Sequence, residues 1–340
     1  ASPNGLVGVF RGLATDAPGA VAGSLAMPGQ VDRYTFTLDR DRRLLFDVLT
    51  DAPSVRWTLT GPRGVVVEGR DFQSSDSFAA LSLMDLQAGA YTLSVYGDGA
   101  TTRPYAFRFL DFTTPSPVVL GPAVVTTLAP GQRTQLYGFE STAGQKLYVD
   151  MLGSTTTDTL WRLFDPFGRV IAQSNTNTDQ NVFTLAQGGR YTFSIEGRHY
   201  NPGLNTVRFA LVPVTDDTAT MNLDQLVSGS IAQPGQVDRH TFSLAERTRV
   251  VFDSRTDTPF GWSLTGPRGT VVSDRTFQNA DANDRSTGVV LDLFPGDYTL
   301  TIDGDADRTG AYAFVLRNLA TATAIAFDTV QAGALSPATE

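Results

Sequence analysis

Gly23-Ser24-Leu25-Ala26-Met27-Pro28-Gly29-Gln30-Val31-Asp32-Arg33-Tyr34-Thr35-Phe36 returns later in the chain as Gly229-Ser230-Ile231-Ala232-Gln233-Pro234-Gly235-Gln236-Val237-Asp238-Arg239-His240-Thr241-Phe242. A weaker middle version reads Leu128-Ala129-Pro130-Gly131-Gln132, then Leu136-Tyr137-Gly138-Phe139 with one residue inserted. The three tryptophans follow the same period. Trp57 and Trp262 open Trp-Thr-Leu-Thr-Gly-Pro-Arg-Gly and Trp-Ser-Leu-Thr-Gly-Pro-Arg-Gly, and Trp161 opens Trp-Arg-Leu-Phe-Asp-Pro-Phe-Gly. A third block recurs at Gly89-Ala90-Tyr91-Thr92-Leu93, Gly189-Arg190-Tyr191-Thr192-Phe193 and Gly296-Asp297-Tyr298-Thr299-Leu300. The period of about a hundred residues is too long for a solenoid unit and suits a string of domains.

Within each copy the apolar residues alternate. Tyr34, Phe36 and Leu38 do so, as do Tyr91, Leu93, Val95 and Tyr105, Phe107, Phe109. That period of two places one face in a core and the other in water. Pro-Gly, Gly-Pro and Asp-Gly pairs punctuate these runs at the short intervals of a sandwich. The expected fold is all-β: three tandem antiparallel β-sandwich domains, with Trp57, Trp161 and Trp262 in their cores. Gly89, Gly189 and Gly296 are expected in turns at positive φ, and the tyrosine two residues on is expected to tie down a loop. The boundaries fall at 1–116, 117–217 (divergent) and 218–319. Residues 320–340 carry Thr321-Ala322-Thr323 and Gly333-Ala334-Leu335-Ser336-Pro337, which parallel Thr218-Ala219-Thr220 and Gly229 to Pro234. They read as a tail or the start of a fourth copy, one of further repeats of the same polypeptide.

At these residues the chain resembles the bacterial pre-peptidase C-terminal domain family. Asp32-Arg33-Tyr34-Thr35-Phe36, Gly144-Gln145, Asp165-Pro166-Phe167-Gly168 and Gly89-Ala90-Tyr91-Thr92-Leu93 match pieces of its pattern. No single copy carries every element, and the outer copies have Thr-Gly-Pro-Arg-Gly in place of Asp-Pro-x-Gly. The resemblance implies a jelly-roll-like sandwich on secreted or cell-surface bacterial proteins. Members accompany peptidases, and some bind collagen or carbohydrate, with calcium in some cases.

Composition narrows the classes. The net charge of −9 argues against nucleic acid, which requires a basic surface. No apolar run approaches the roughly 20 residues of a membrane helix, so membrane insertion is not expected. The chain has no cysteine, and Lys146 is its one lysine. Ala1-Ser2-Pro3-Asn4-Gly5 lacks the character of a signal peptide, as after its removal or in a segment of a longer protein.

Catalytic signals are missing. There are two histidines, no cysteine nucleophile, no Gly-x-Ser-x-Gly and no His-Glu-x-x-His. An enzyme is not expected, and no cofactor is required. His240 falls opposite Tyr34 in the repeat and reads as a strand residue. Asp303, Asp305 and Asp307 alternate in a loop, a spacing that suits Ca²⁺ and equally a solvated turn; Asp281, Asn283 and Asp284 form a second such loop. His199 and Tyr200, in a loop unique to the middle copy, and Tyr96, on the polar side of its strand, are the candidate ligand-binding residues. Asp32 and Asp238 are expected to fix a turn or pair with an arginine, with metal ligation the remaining alternative. The functional expectation is a structural or adhesive array; the alternatives are a module binding glycan or an extracellular matrix protein such as collagen, with or without calcium, and an accessory C-terminal region of a secreted hydrolase. Independently folding copies predict protease cleavage at 113–122 and 214–222, leaving fragments of about one repeat; a single uncut core would contradict independence.

Overall fold

The computed structural model describes residues 7–9, 19–75, 83–178, 182–280, 290–304, 308–330 and 332. The fold is all-β, and among the described residues the only helical elements are three single 3-10 turns. Six sheets form, two from each repeat. In the first copy a five-stranded sheet runs Val7–Val9, Val31–Leu38, Gly89–Gly97, Val55–Gly61, Gly64–Asp71, and a four-stranded sheet runs Val21–Leu25, Arg103–Asp111, Arg42–Val48, Leu83–Leu86. The second and third copies reproduce this order strand for strand. Pairing is antiparallel except at one edge, where a lead strand lies parallel to the long strand of its own copy: Val7–Val9, Ser116–Pro117 and Thr218–Thr220.

Two compact units result. The first is Ala1–Gln145, Met151–Asp179 and Leu185–Leu211; the second is Lys146–Asp150, Gln180–Thr184 and Val212–Glu340. The first unit thus holds the first repeat and most of the second, and the second unit holds the third repeat with three short pieces of the second.

The alternation read from sequence sets the cores. Tyr91, Leu93 and Val95 turn inward to meet Phe46, Phe107 and Trp57 from the rest of the first copy. The three tryptophans are at most 1% exposed. Trp57 stacks on Phe46 with centroids 4.1 Å apart, and Trp262 stacks on Phe252 at 4.2 Å. In the divergent second copy Trp161 meets Phe193 at a tilt.

The turn motifs prove to be one device. Gly89 has φ +141°, and a Cβ there would lie 2.9 Å from Pro62 Cγ. Gly296 has φ +136°, with its Cβ position 2.8 Å from Pro267 Cγ. The Gly-Pro turn therefore packs on the glycine of Gly-x-Tyr, and only glycine fits both the conformation and the space. The tyrosine hydroxyls then close the loop four residues back. Tyr91 donates to Gln87 O at 2.8 Å, Tyr191 to Gln187 O at 3.0 Å and Tyr298 to Phe294 O at 2.8 Å.

One buried group separates the outer copies. Trp57 Nε1 donates to Ser75 Oγ at 2.7 Å. The corresponding residue of the third copy is Ala280, and Trp262 Nε1 is buried with no acceptor among the described residues. An orphaned buried donor costs on the order of 1–3 kcal/mol. Ala280→Ser is therefore expected to stabilise the third copy by about 1 kcal/mol, read as a higher urea midpoint with the slope unchanged. An unchanged or lower midpoint would show that Trp262 loses nothing by being unpaired.

Candidate functional site

Behind each Pro-Gly-Gln-Val-Asp turn of the outer copies lies a buried polar latch. Gln30 Nε2 donates to Ser24 O at 3.0 Å and to Asp32 Oδ1 at 2.7 Å, while its Oε1 accepts from Ala26 N. Asp32 Oδ2 accepts from Tyr105 OH at 2.6 Å, and Tyr34 meets Tyr105 OH at 2.6 Å. In the third copy Gln236, Asp238, Tyr312 and His240 make the same chain, with 2.7 Å from Tyr312 OH to Asp238 Oδ2 and 2.8 Å from His240 Nε2 to Tyr312 OH. Tyr312 has one proton and gives it to Asp238, so His240 donates from Nε2. Gly23 and Gly229 lie against these tyrosines; a Cβ would come within 2.3 Å and 2.2 Å of the hydroxyls. The aspartates are 2% and 3% exposed and accept from glutamine and tyrosine. The latch fixes the turn. The second copy replaces the set together: Thr126, Gln135 and Val207 stand where Gly23, Asp32 and Tyr105 stand in the first.

A second buried polar group lies where the first copy meets the second, inside the first compact unit. The outer face of the first copy's four-stranded sheet presents Leu45, Leu83 and Leu110, with Phe112 beyond its edge. These pack on Leu136 and Phe164 from the outer face of the second copy's five-stranded sheet. Phe112 and Phe164 meet edge to face at 4.7 Å. Beside this apolar contact Asp47 accepts from Arg108 Nε at 2.6 Å, from Thr134 Oγ1 at 2.9 Å and from Thr134 N at 3.2 Å. Arg108 also donates to Thr134 O. Burial pushes the Asp47 carboxyl above the ordinary carboxylate range, with Arg108 and Thr134 opposing it. On the second copy's side Arg162 Nη1 pairs with Glu196 Oε2 at 2.5 Å, both nearly inaccessible, and Ser194 donates to the other oxygen.

The rim of this junction is a cleft of about 570 Å³ lined by Asp41, Arg43, Asp85, Phe112, Asp165 and Arg190, among others. Its charged side chains are already hydrogen-bonded. Arg43 pairs with Asp85 at 2.6 Å and reaches Phe167 O at 2.5 Å, Asp41 accepts from Ala88 N, and Arg190 donates to Thr113 O and Pro115 O. The segment joining the copies is tied down as well, with Val118 N donating to Gly138 O and Gly121 N to Leu211 O.

The second unit shows the same face in use. Tyr148 and Val182, which stand where Leu45 and Leu83 stand in the first copy, lie against Gly235 of the third copy's Pro-Gly turn. Lys146 and Arg239 both pair with Asp216, which they hold below the ordinary carboxylate range against the effect of burial.

The candidate ligand residues are scattered. His199 sits at the same junction, its Nδ1 3.0 Å from Asp51 of the first copy. Tyr200 stands edge-on to it, 49% exposed. Tyr96 lies half-buried on the outer face of the first copy's five-stranded sheet, its hydroxyl 3.5 Å from Thr58 Oγ1. Asp303 is exposed at a strand end, while Asp305, Asp307, Asp281, Asn283 and Asp284 lie outside the described residues. Strand register gives Tyr96, Glu196 and Asp303 one shared repeat position. Among the described residues no three His, Asp or Glu side chains converge as a metal site. The junction residues Leu45, Asp47, Arg108 and Thr134 were not singled out from sequence. Their signal was present, since Arg43-Leu44-Leu45-Phe46-Asp47, Lys146-Leu147-Tyr148-Val149-Asp150 and Arg249-Val250-Val251-Phe252-Asp253 repeat one pattern.

Neither the protein-family models nor the curated proteins include a match to this chain. Among solved structures it is similar to the pre-peptidase C-terminal domain of a collagenase from Bacillus anthracis, at 14% identity over 30% of this chain and 97% of that one, with a TM-score of 0.23. It is also similar to PliG of Aeromonas hydrophila, a periplasmic inhibitor of g-type lysozyme, at 14% identity over 29% of this chain and 96% of that one, with a TM-score of 0.24. The CUB1-EGF-CUB2 domains of rat MASP-1 are similar at 6% identity over 60% of this chain and 99% of that one, with a TM-score of 0.21.

The third copy's latch makes its stability pH-dependent. Burial holds the His240 imidazole below its ordinary value, with Asp238 pulling the other way. The unfolded chain therefore binds this proton at higher pH than the folded chain. The contribution is complete above about pH 6.5 and is lost as the pH falls from there toward the folded value. His240→Tyr installs the donor that Tyr34 supplies in the first copy. Unfolding in urea between pH 7.5 and 5 is expected to show a larger loss for the native chain than for the variant. Equal losses would mean that His240 does not govern this dependence.

Proposed function

We propose that this chain is a non-catalytic stacked array of β-sandwich modules in a larger secreted or cell-surface protein, serving as a structural or adhesive extension. The observation that carries this reading is the buried junction of the first and second copies, where Leu45 and Phe112 meet Leu136 and Phe164 beside the Asp47–Arg108–Thr134 group. A flexible string of binding beads has no use for a charged pair desolvated between beads. A stiff array does, because a buried pair that must be matched on both sides fixes how successive modules meet. The latches belong to the same reading: buried aspartates hydrogen-bonded to glutamine and tyrosine hold turns rather than turn over a substrate. An acidic surface rich in Thr, Ser, Asp and Gly suits an extracellular setting.

Leu136→Asp tests the reading by placing a carboxylate in the apolar part of the junction. The first compact unit should lose about 3 kcal/mol. In calorimetry of the full chain a single transition for the first and second copies should separate into two. A melting profile unchanged by Leu136→Asp would overturn the stacked array, because the two copies would then be shown to fold without leaning on each other.

A further inference from the structure

The outer face that seats the second copy on the first has an exact counterpart in position on the third. Strand register matches Val251 to Leu45, Val290 to Leu83, and Asp253 to Asp47. In the first copy this face is covered. In the third, Val290 is 45% exposed and Leu226, paired beside Val315 on the same face, is 64% exposed. Asp253 is held by Arg255 and Arg317, each about 3 Å away.

The chain that follows has a telling conformation. The second and third copies each begin with a left-handed residue whose N–H donates to the last long strand of its own copy: Gly121, φ +100°, to Leu211 O, and Asp224, φ +63°, to Leu316 O. Asp328 takes the same left-handed conformation, φ +60°, in a segment whose sequence parallels that of Asp224. Around Asp224 the apolar residues Met221, Leu223 and Val227 pack on the third core. Around Asp328 the counterparts of Met221 and Leu223 have no core among the described residues: Ile325 is 70% exposed and Phe327 95%.

We infer that the outer face of the third copy's four-stranded sheet, centred on Val251, Val290 and Asp253, seats a fourth copy of the same module, led in by residues 321–330. This rests on the stacked-array reading. The occupant is a module of this kind because the face continues an interface already built once in the chain, and the lead-in is that of such a module. Its first long strand would bring a backbone N–H to Asp253, as Thr134 brings one to Asp47.

The chain has no cysteine, so a single introduced thiol reports on each face without interference. The experiment compares Val290→Cys in the 340-residue chain with Val290→Cys in a longer chain, in which residues 1–337 are continued by a second copy of residues 235–319. Maleimide labelling should be fast in the first and at least about tenfold slower in the second, the protection that burial gives. A second longer chain, continued instead by residues 131–217, provides an independent fourth body. Equal labelling rates with the added body folded, as judged by circular dichroism and its added tryptophan fluorescence, would overturn the inference. Failure of both added bodies to fold would overturn it too, because residues 321–337 would then be no lead-in. Leu83→Cys in the 340-residue chain separates the two claims. Slow labelling there, with fast labelling of Val290→Cys in a folded four-copy chain, removes only this inference; fast labelling of Leu83→Cys removes the stacked array itself.

Discussion

The Asp47 carboxylate, closed in by Arg108 from its own sheet and by the Thr134 N–H and hydroxyl from the next copy, is the constraint around which the first compact unit is built. A charge taken out of water is tolerated only when its lone pairs are filled, and here the filling groups come from two repeats. The four-stranded sheet must consequently be covered on both faces: Phe46, Phe107 and Leu44 face its own sandwich, while Leu45, Leu83 and Leu110 face the neighbour. An antiparallel sheet usually leaves one face to water. This one does not, and the repeat becomes part of a stack rather than a bead.

The latch behind the Pro-Gly-Gln turn obeys the same accounting on a smaller scale. Asp32, Gln30, Tyr105 and Tyr34 satisfy one another in a space that exists because residue 23 has no side chain. Such a network is worth keeping whole or not at all, since any one member left alone is a buried unsatisfied group. The second copy illustrates the alternative, with threonine, glutamine and valine installed at all three positions together. What looks like divergence in the middle repeat is a coordinated exchange of one satisfied arrangement for another.

Much of this was legible in the sequence because it is local or periodic. The alternation of Tyr91, Leu93 and Val95, the shared position of the tryptophans and the turn glycines each depend on neighbours a few residues away or on a single strand. The junction was less legible. Leu45 and Asp47 occupy the face that alternation assigns to solvent, and a lone Arg108 among aromatic residues reads as an ordinary outward charge. Only the strand order brings Asp47 opposite Arg108 and both beneath Thr134. His199 shows the same limit: an unusual loop was visible, but its contact with Asp51, far away in sequence, was not. The acidic loops at 281–284 and 305–307 lie outside the described residues, so the calcium reading rests where the sequence left it.

The first and third copies of the Asp47 position show how one site can be tuned for its place in a stack. In the first copy the aspartate is buried and shared with a neighbour; in the third, Asp253 is partly exposed and held by two arginines of its own copy. Removing one partner of a buried pair costs about 3–5 kcal/mol. The same carboxylate is therefore neutralised within its own copy in the third repeat and becomes a strict test of fit where a neighbour covers the face. A wrong neighbour would desolvate Asp253 without supplying the N–H that Asp47 receives from Thr134. Selectivity for the right module thus arises from the cost of covering the site badly, and the aliphatic residues around it supply the drive to cover it at all.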